Sequence, residues 1–242
     1  MREARRRFPS VVVSIFVNPL QFGPAEDFAA YPRDLVRDLS LAREIGVAAV
    51  FTPGVEEMYP GPAFTHVDVA PLSGVLCGLA RPGHFRGVAT VVTKLFNIIR
   101  PDAAFFGQKD AQQLQVIRRL VQDLNFEIEV VAVATVREAD GLAMSSRNVY
   151  LSPEERRAAV VLYRSLVAAR EAILDGETDL DAVRAQLAAE IAAEPLAQLE
   201  YADILALPDL TPPADDDREL LLAAAARFGR ARLIDNVTVR RE

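Results

Sequence analysis

VVVSIFVNPLQF, residues 11–22, decides how the chain is read. Val11 to Val17 is apolar apart from Ser14 and rich in β-branched side chains, the composition of a strand buried on both faces. Asn18-Pro19 ends it, because Asn favours a turn and Pro cannot continue a hydrogen-bonded ladder. Such a strand belongs to a parallel sheet covered by helices, so helical patterns should follow it.

They do. Asp34 to Ile45 is helical, with Leu35, Val36, Leu39 and Leu41 as an apolar stripe and Gly46 as the stop. Ala48–Phe51 is the next strand, closed by Thr52-Pro53-Gly54. A stretch punctuated by Pro and Gly leads to a short alternating segment, His66–Val69, in which His66 is structural. Gly87 to Ile99 is apolar nearly all round, which predicts a buried helix, and Pro101 blocks its continuation. Ala103–Phe106 is a third strand, Gln112–Leu124 an amphipathic helix and Glu127–Ala134 a fourth strand. This alternation implies a parallel α/β sheet wound through crossover helices.

The pattern changes near Arg137. Ser152-Pro153-Glu154-Glu155 is a helix start with cap, first-turn proline and capping glutamate, and the helix runs to Asp175-Gly176. A second helix places Leu180, Val183, Leu187 and Ile191 on one face. Leu199–Leu207, Glu219–Ala226 and Ala231–Val239 then read as an antiparallel meander. The expected domains are residues 1–136, Rossmann-like, and 137–242, a smaller α+β domain.

Composition narrows the function. Acidic residues outnumber basic ones, 34 to 27, which gives no electrostatic reason to expect nucleic acid. Cys77 is the sole cysteine, so an internal disulfide is impossible, and a reducing cytoplasm fits. No apolar run approaches the roughly 18 residues of a membrane span, and the basic MREARRRF has no apolar signal-peptide core behind it. There is neither G-x-x-x-x-G-K-[ST] nor G-x-G-x-x-G, which disfavours a P-loop NTPase and a standard dinucleotide dehydrogenase.

In a parallel sheet the strands' C-terminal ends share one edge, where ligands bind. Asn18 and Gln21 follow the first strand. Gly107, Gln108, Lys109, Asp110 and Gln113 follow the third. Ser145, Ser146 and Arg147 lie in a loop after the fourth. Arg81 and His84, in RPGHFRGV, place a cation and an imidazole near the start of the buried helix and are candidates for substrate binding. Each fragment alone suits an ordinary surface loop. Together, amides, hydroxyls, a lysine and an arginine on one edge suit a phosphorylated or carboxylated ligand.

The segments VVVSIFVNPLQFGPAEDFAAYPRD, EMYP, RPGHFRGVATVVTKLFNIIRPD, FFGQKDAQQ, TVREADGLAMSSRNVYLSPEER and RLIDN, in that order along the whole chain, closely resemble the pantothenate synthetase family. The resemblance implies a nucleotidylyltransferase-like Rossmann domain with a smaller C-terminal domain, a cytoplasmic homodimer, and ATP with Mg²⁺ for joining pantoate to β-alanine through a pantoyl-adenylate. It implies that Gln21 contacts pantoate and β-alanine, that Gln113 contacts pantoate, and that Asn18 helps to hold pantoate. It also implies that Gly107, Gln108, Lys109, Asp110, Val136, Met144, Ser145, Ser146 and Arg147 line the ATP site. Of these, Lys109, Ser146 and Arg147 would carry catalysis by stabilising the leaving pyrophosphate; the metal ligands are not identified. Gln108 stands where Glu is common, and Ala111 where an aromatic is common.

One element of the family pattern has no counterpart. The family opens with a strand, a loop P-T-M-G-x-L-H-x-G-H and a helix, whereas this sequence contains no H-x-G-H, and Arg2–Phe8 is similar to the end of that helix. The implied strand is central, between Val11–Val17 and Ala103–Phe106. Without it those neighbours should close up, admit water or recruit another segment. A start lying upstream of Met1 is the first expectation. A shortened, catalytically inactive remnant or regulatory partner that keeps ligand binding is the alternative. A pantetheine-phosphate adenylyltransferase on the same scaffold is a third, against which FVNPLQFG and DGLAMSSRN argue.

Overall fold

The computed structural model describes residues 1–23 and 28–241; residues 24–27, inside the quoted segment Val11–Asp34, and residue 242 lie outside that description. The elements run α1 (Arg2–Arg7), β1 (Val12–Ser14), α2 (Leu35–Ile45), β2 (Ala49–Phe51), α3 (Val55–Met58), α4 (Cys77–Ala80), α5 (His84–Ile99), β3 (Ala103–Gly107), α6 (Ala111–Asp123) and β4 (Glu129–Val133). They continue with α7 (Pro153–Ala158), α8 (Val161–Leu174), α9 (Leu180–Ala192), β5 (Gln198–Ala206), β6 (Glu219–Phe228) and β7 (Ala231–Arg240). No helix of the described residues is long and apolar enough to cross a membrane.

The chain divides into two compact units. One comprises Met1–Ser73, Arg81–Phe106 and Val116–Val133; the other comprises Gly74–Ala80, Gly107–Gln115 and Ala134–Glu242.

In the first unit β1 pairs in parallel with β2, Val13 opposite Val50, and β3 pairs with β4, but the two pairs form separate sheets. Between β1 and β3 lies a cavity of about 460 Å³, walled by residues 10–14 and 103–106. Ala4 and Phe8 line it beside α1, and Val92 and Phe96 beside α5. The strands have not closed up. A parallel pair sends alternate backbone groups to each side, so the edges of β1 and β3 that face this slot have no ladder partner among the described residues.

Two local expectations in this unit need correction. Asp34 caps α2 by accepting the Arg37 N–H at 3.0 Å, and Gly46 ends it at φ 78°, as its left-handed position requires. Its apolar stripe, however, is not buried: Leu35, Val36, Leu39 and Leu41 are exposed, and Ala42 is the residue packed inward. Helical spacing predicts which side chains share a face, not whether that face is covered. Helix α5 begins three residues before the expected Gly87, so His84 is its first residue rather than part of the preceding loop. Its buried side chains run from Phe85 to Phe96, while Ile98 is exposed.

The second unit packs α8 and α9 on the antiparallel order β5-β6-β7. β6 is the middle strand and is buried on both faces through Leu220–Ala226, which explains the run LLLAAAA. Leu162, Leu166, Ile173, Val183, Leu187 and Ile191 supply the helical side of the core. The capping box is present: Ser152 Oγ accepts the Glu155 N–H at 3.2 Å, and Glu155 Oε2 accepts the Ser152 N–H at 2.8 Å. The expected single helix is broken into α7 and α8 at Ala159-Val160.

Candidate active site

In the first unit the site is built on the turn after β1. Pro19–Gln21 forms one turn of 3₁₀ helix capped by Asn18. Asn18 is 1% exposed, and its polar capacity is fully used inside the protein. Its Oδ1 accepts from the Tyr59 hydroxyl at 2.8 Å and the Leu20 N–H at 3.3 Å. Its Nδ2 donates to the Gly87 carbonyl at 3.0 Å and to Gln21 Oε1 at 3.5 Å. Burial pushes the Tyr59 phenol up to about 12, so Tyr59 stays a donor across the working range.

Arg81 and His84 meet the same turn. Arg81 donates to the Gln21 carbonyl at 3.1 Å, and His84 Nδ1 lies 2.8 Å from that oxygen. Arg81 also approaches His84 Nε2 at 3.1 Å. A guanidinium only donates, so Nε2 must accept and the proton sits on Nδ1, where it donates to Gln21. Among the described residues, the half-buried side-chain amide of Gln21 makes one long contact, to Asn18.

In the second unit two segments carry the remaining candidates. Gly107 leads into the turn Gln108–Asp110 and then α6. Lys109 Nζ lies 3.8 Å from Asp110 Oδ1, and its side chain is 20% exposed, held in place more than a surface lysine. Gln113 is half-buried on α6. Its neighbour Gln112 is buried and structural, accepting the Cys77 N–H at 3.0 Å and donating to the Val75 carbonyl at 2.7 Å.

The other segment is a small hairpin. Arg137 and Ala143 bridge in antiparallel fashion, and the Met144 N–H donates to the Val136 carbonyl at 2.9 Å. Val136 and Met144 are thus neighbours across the hairpin, and both side chains are exposed. Arg156 grips its turn, bonding Asp140 at 2.8 and 3.0 Å and Glu138 at 2.8 Å. That hydrogen bonding holds both carboxyls below the usual carboxylate range. Beyond the hairpin, Ser145 caps Ser146–Tyr150 by accepting the Arg147 N–H at 3.2 Å.

Three residues that sequence reasoning did not single out organise these segments. Tyr59 supports Asn18. Gly87 lets α5 touch the backbone of the Pro19–Gln21 turn, where any side chain would collide with Leu20. Asn236 donates to the carbonyls of Gln108 and Lys109. Gly87 was expected at the start of the helix, and only the extension back to His84 makes it an interior glycine of the kind that marks a close approach; Tyr59 and Asn236 stood within the quoted segments EMYP and RLIDN with no role of their own. Among the described residues no group of three His, Cys, Asp or Glu side chains could hold a metal ion.

Comparison with known proteins gives a single answer. The profile of the family described as Pantoate-beta-alanine ligase matches residues 1–238. A pantothenate synthetase of Pelotomaculum thermopropionicum is 60% identical over 236 residues, 98% of this chain and 84% of that protein. The crystal structure of pantothenate synthetase from Thermus thermophilus superposes with a TM-score of 0.93 at 51% identity, covering 98% of this chain and 86% of that one. Pantoate-beta-alanine ligase from Francisella tularensis, solved in complex with beta-gamma ATP and beta-alanine, gives 0.76 at 29% identity, covering 98% and 82%.

Proposed function

The chain belongs to the pantoate–β-alanine ligase family, and from that membership we propose how its own residues divide the reaction. The activity is ATP-dependent ligation of pantoate to β-alanine. Gln21 and Gln113 contact pantoate through their side-chain amides, and Gln21 also meets β-alanine. Asn18 has no free hydrogen-bonding position, so it serves by aiming Gln21 rather than by touching substrate. Arg81 and His84 serve likewise, through the Gln21 carbonyl.

Gly107, Gln108, Lys109, Asp110 and the hairpin residues Val136 and Met144 line the nucleotide site, with Ser145, Ser146 and Arg147 on the phosphates. A pantoate carboxylate oxygen bonds to the α-phosphorus as the bridge to the β-phosphate breaks, and pyrophosphate leaves. Lys109, Ser146 and Arg147 stabilise the charge that grows on it, which is usually the largest catalytic contribution. The neutral amine of β-alanine then bonds to the acyl carbon and loses a proton, and AMP departs with the former ester oxygen. Mg²⁺ enters as the ATP complex, and no step here runs through it. A homodimer in the cytoplasm completes the reading.

The match across nearly the whole chain carries this conclusion. The test is incubation of the protein with pantoate, β-alanine and MgATP. Pantothenate and AMP in equal amounts are expected; the absence of both would overturn the reading.

A further inference from the structure

Asn236 and Asp235 are consecutive residues of β7, 8% and 3% exposed, and neither belongs to the substrate-facing set above. Asn236 Nδ2 donates to the Gln108 carbonyl at 3.0 Å and the Lys109 carbonyl at 2.8 Å, which uses both protons of that nitrogen. The Asn236 N–H is itself held by Asp235 Oδ1 at 2.8 Å. Asp235 takes Arg137 in a two-pronged pair at 2.6 and 2.9 Å. Arg137 also donates to the Gly141 carbonyl at 3.0 Å and the Asn236 carbonyl at 3.3 Å. One step along a single strand therefore anchors both the lysine turn and the base of the hairpin that leads to Ser145–Arg147.

The lysine turn needs such an anchor. Gln108–Asp110 is three residues of 3₁₀ helix, too short to hold its own direction, and a lysine ammonium is a point charge on a flexible stem. Where Lys109 Nζ can reach is set by where the Gln108–Lys109 peptides lie. We propose that Asn236 is a positioning residue for nucleotide binding, fixing those two peptides so that Lys109 is delivered to the phosphates. This rests on the reading of Lys109 as a phosphate contact.

The experiment measures the ATP dissociation constant of the full chain by equilibrium dialysis, for Asn236→Leu, Lys109→Ala and the double variant, with unfolding midpoints followed in parallel. Asn236→Leu keeps the side chain's size and removes its donors. It is expected to weaken ATP binding by about tenfold or more, the scale of two lost hydrogen bonds, and to add little once Lys109 is already alanine. Asn236→Gln, which keeps both donors, should recover part of the loss. An equal loss in both backgrounds, or none in either, would overturn the positioning role. Unchanged binding in Lys109→Ala would overturn the phosphate reading itself, and the positioning role with it. If Asn236→Leu fails to fold, Asn236→Asp, equal in size and lacking the amide donors, is judged by the same outcomes.

Discussion

Gly87 and Leu20 meet backbone to side-chain position with no room between them: a Cβ on Gly87 would lie 2.7 Å from the Gln21 nitrogen and nearer still to the Leu20 carbonyl. The obstructing atoms are main chain and cannot swing aside. An alanine in a helix interior ordinarily gains about 1 kcal/mol over glycine. Here the sign should reverse. Gly87→Ala is expected to destabilise by about 1–3 kcal/mol, as overpacking does, and to weaken pantoate binding because Gln21 moves with the turn. Urea unfolding and calorimetry check the two effects, and a stabilised variant would contradict the contact.

The Tyr59 hydroxyl is a second support of the same turn. Tyr59→Phe should cost about 1 kcal/mol, the ordinary worth of one hydrogen bond, and raise the KM for pantoate more than it lowers kcat. A loss confined to kcat would assign the phenol a chemical role instead.

Titration of that phenol gives a pH dependence. Its pKa is raised by burial from 10.0 to about 12, so folding favours the neutral form. The stability it contributes is complete below its unfolded value of about 10 and is lost as pH climbs through 12. The stability difference between the native protein and Tyr59→Phe should shrink over that interval. A phenolate midpoint for Tyr59 near 10 in the difference absorbance at 295 nm would contradict it.

Asp235 and Arg137 form a nearly buried ion pair, and removing one partner leaves a charge without compensation. Asp235→Ala should cost about 3–5 kcal/mol, whereas joint replacement by Leu and Met should cost far less. Thermal unfolding of the single and double variants decides; equal losses would mean that the pair matters only as packing.

Acid should loosen the hairpin turn. Glu138 and Asp140 are held below the ordinary carboxylate range by hydrogen bonds from Arg156, so their contribution is present above the unfolded values of about 4 and fades as pH falls through the lower folded ones. Carbonyl-carbon NMR titration should show both depressed midpoints, and Arg156→Ala should return them to the usual range.

The strands and helices were largely legible because their signals are local. Val11–Val17, the capping box at Ser152 and the meander from Leu199 each advertise themselves within a dozen residues. The outward face of α2 was not legible, since an apolar stripe carries no record of what lies against it. The break at Ala159-Val160 has no glycine or proline to mark it. Asn236 was hidden for a different reason. Its acceptors are two peptide carbonyls 127 and 128 residues away, and every residue type supplies a carbonyl, so the pairing leaves no trace in the partner's identity. Tyr59, 41 residues from Asn18, is a weaker case of the same kind.

Taken alone, these 242 residues carry a slot between β1 and β3 that also governs their behaviour in bulk. Two bare strand edges are a template for any extended chain, including a neighbouring molecule that has partly unravelled. Loss from solution should therefore accelerate with protein concentration, through a bimolecular step, even where each molecule alone is thermally sound. Dilution, more than cooling, is the remedy that this geometry prescribes.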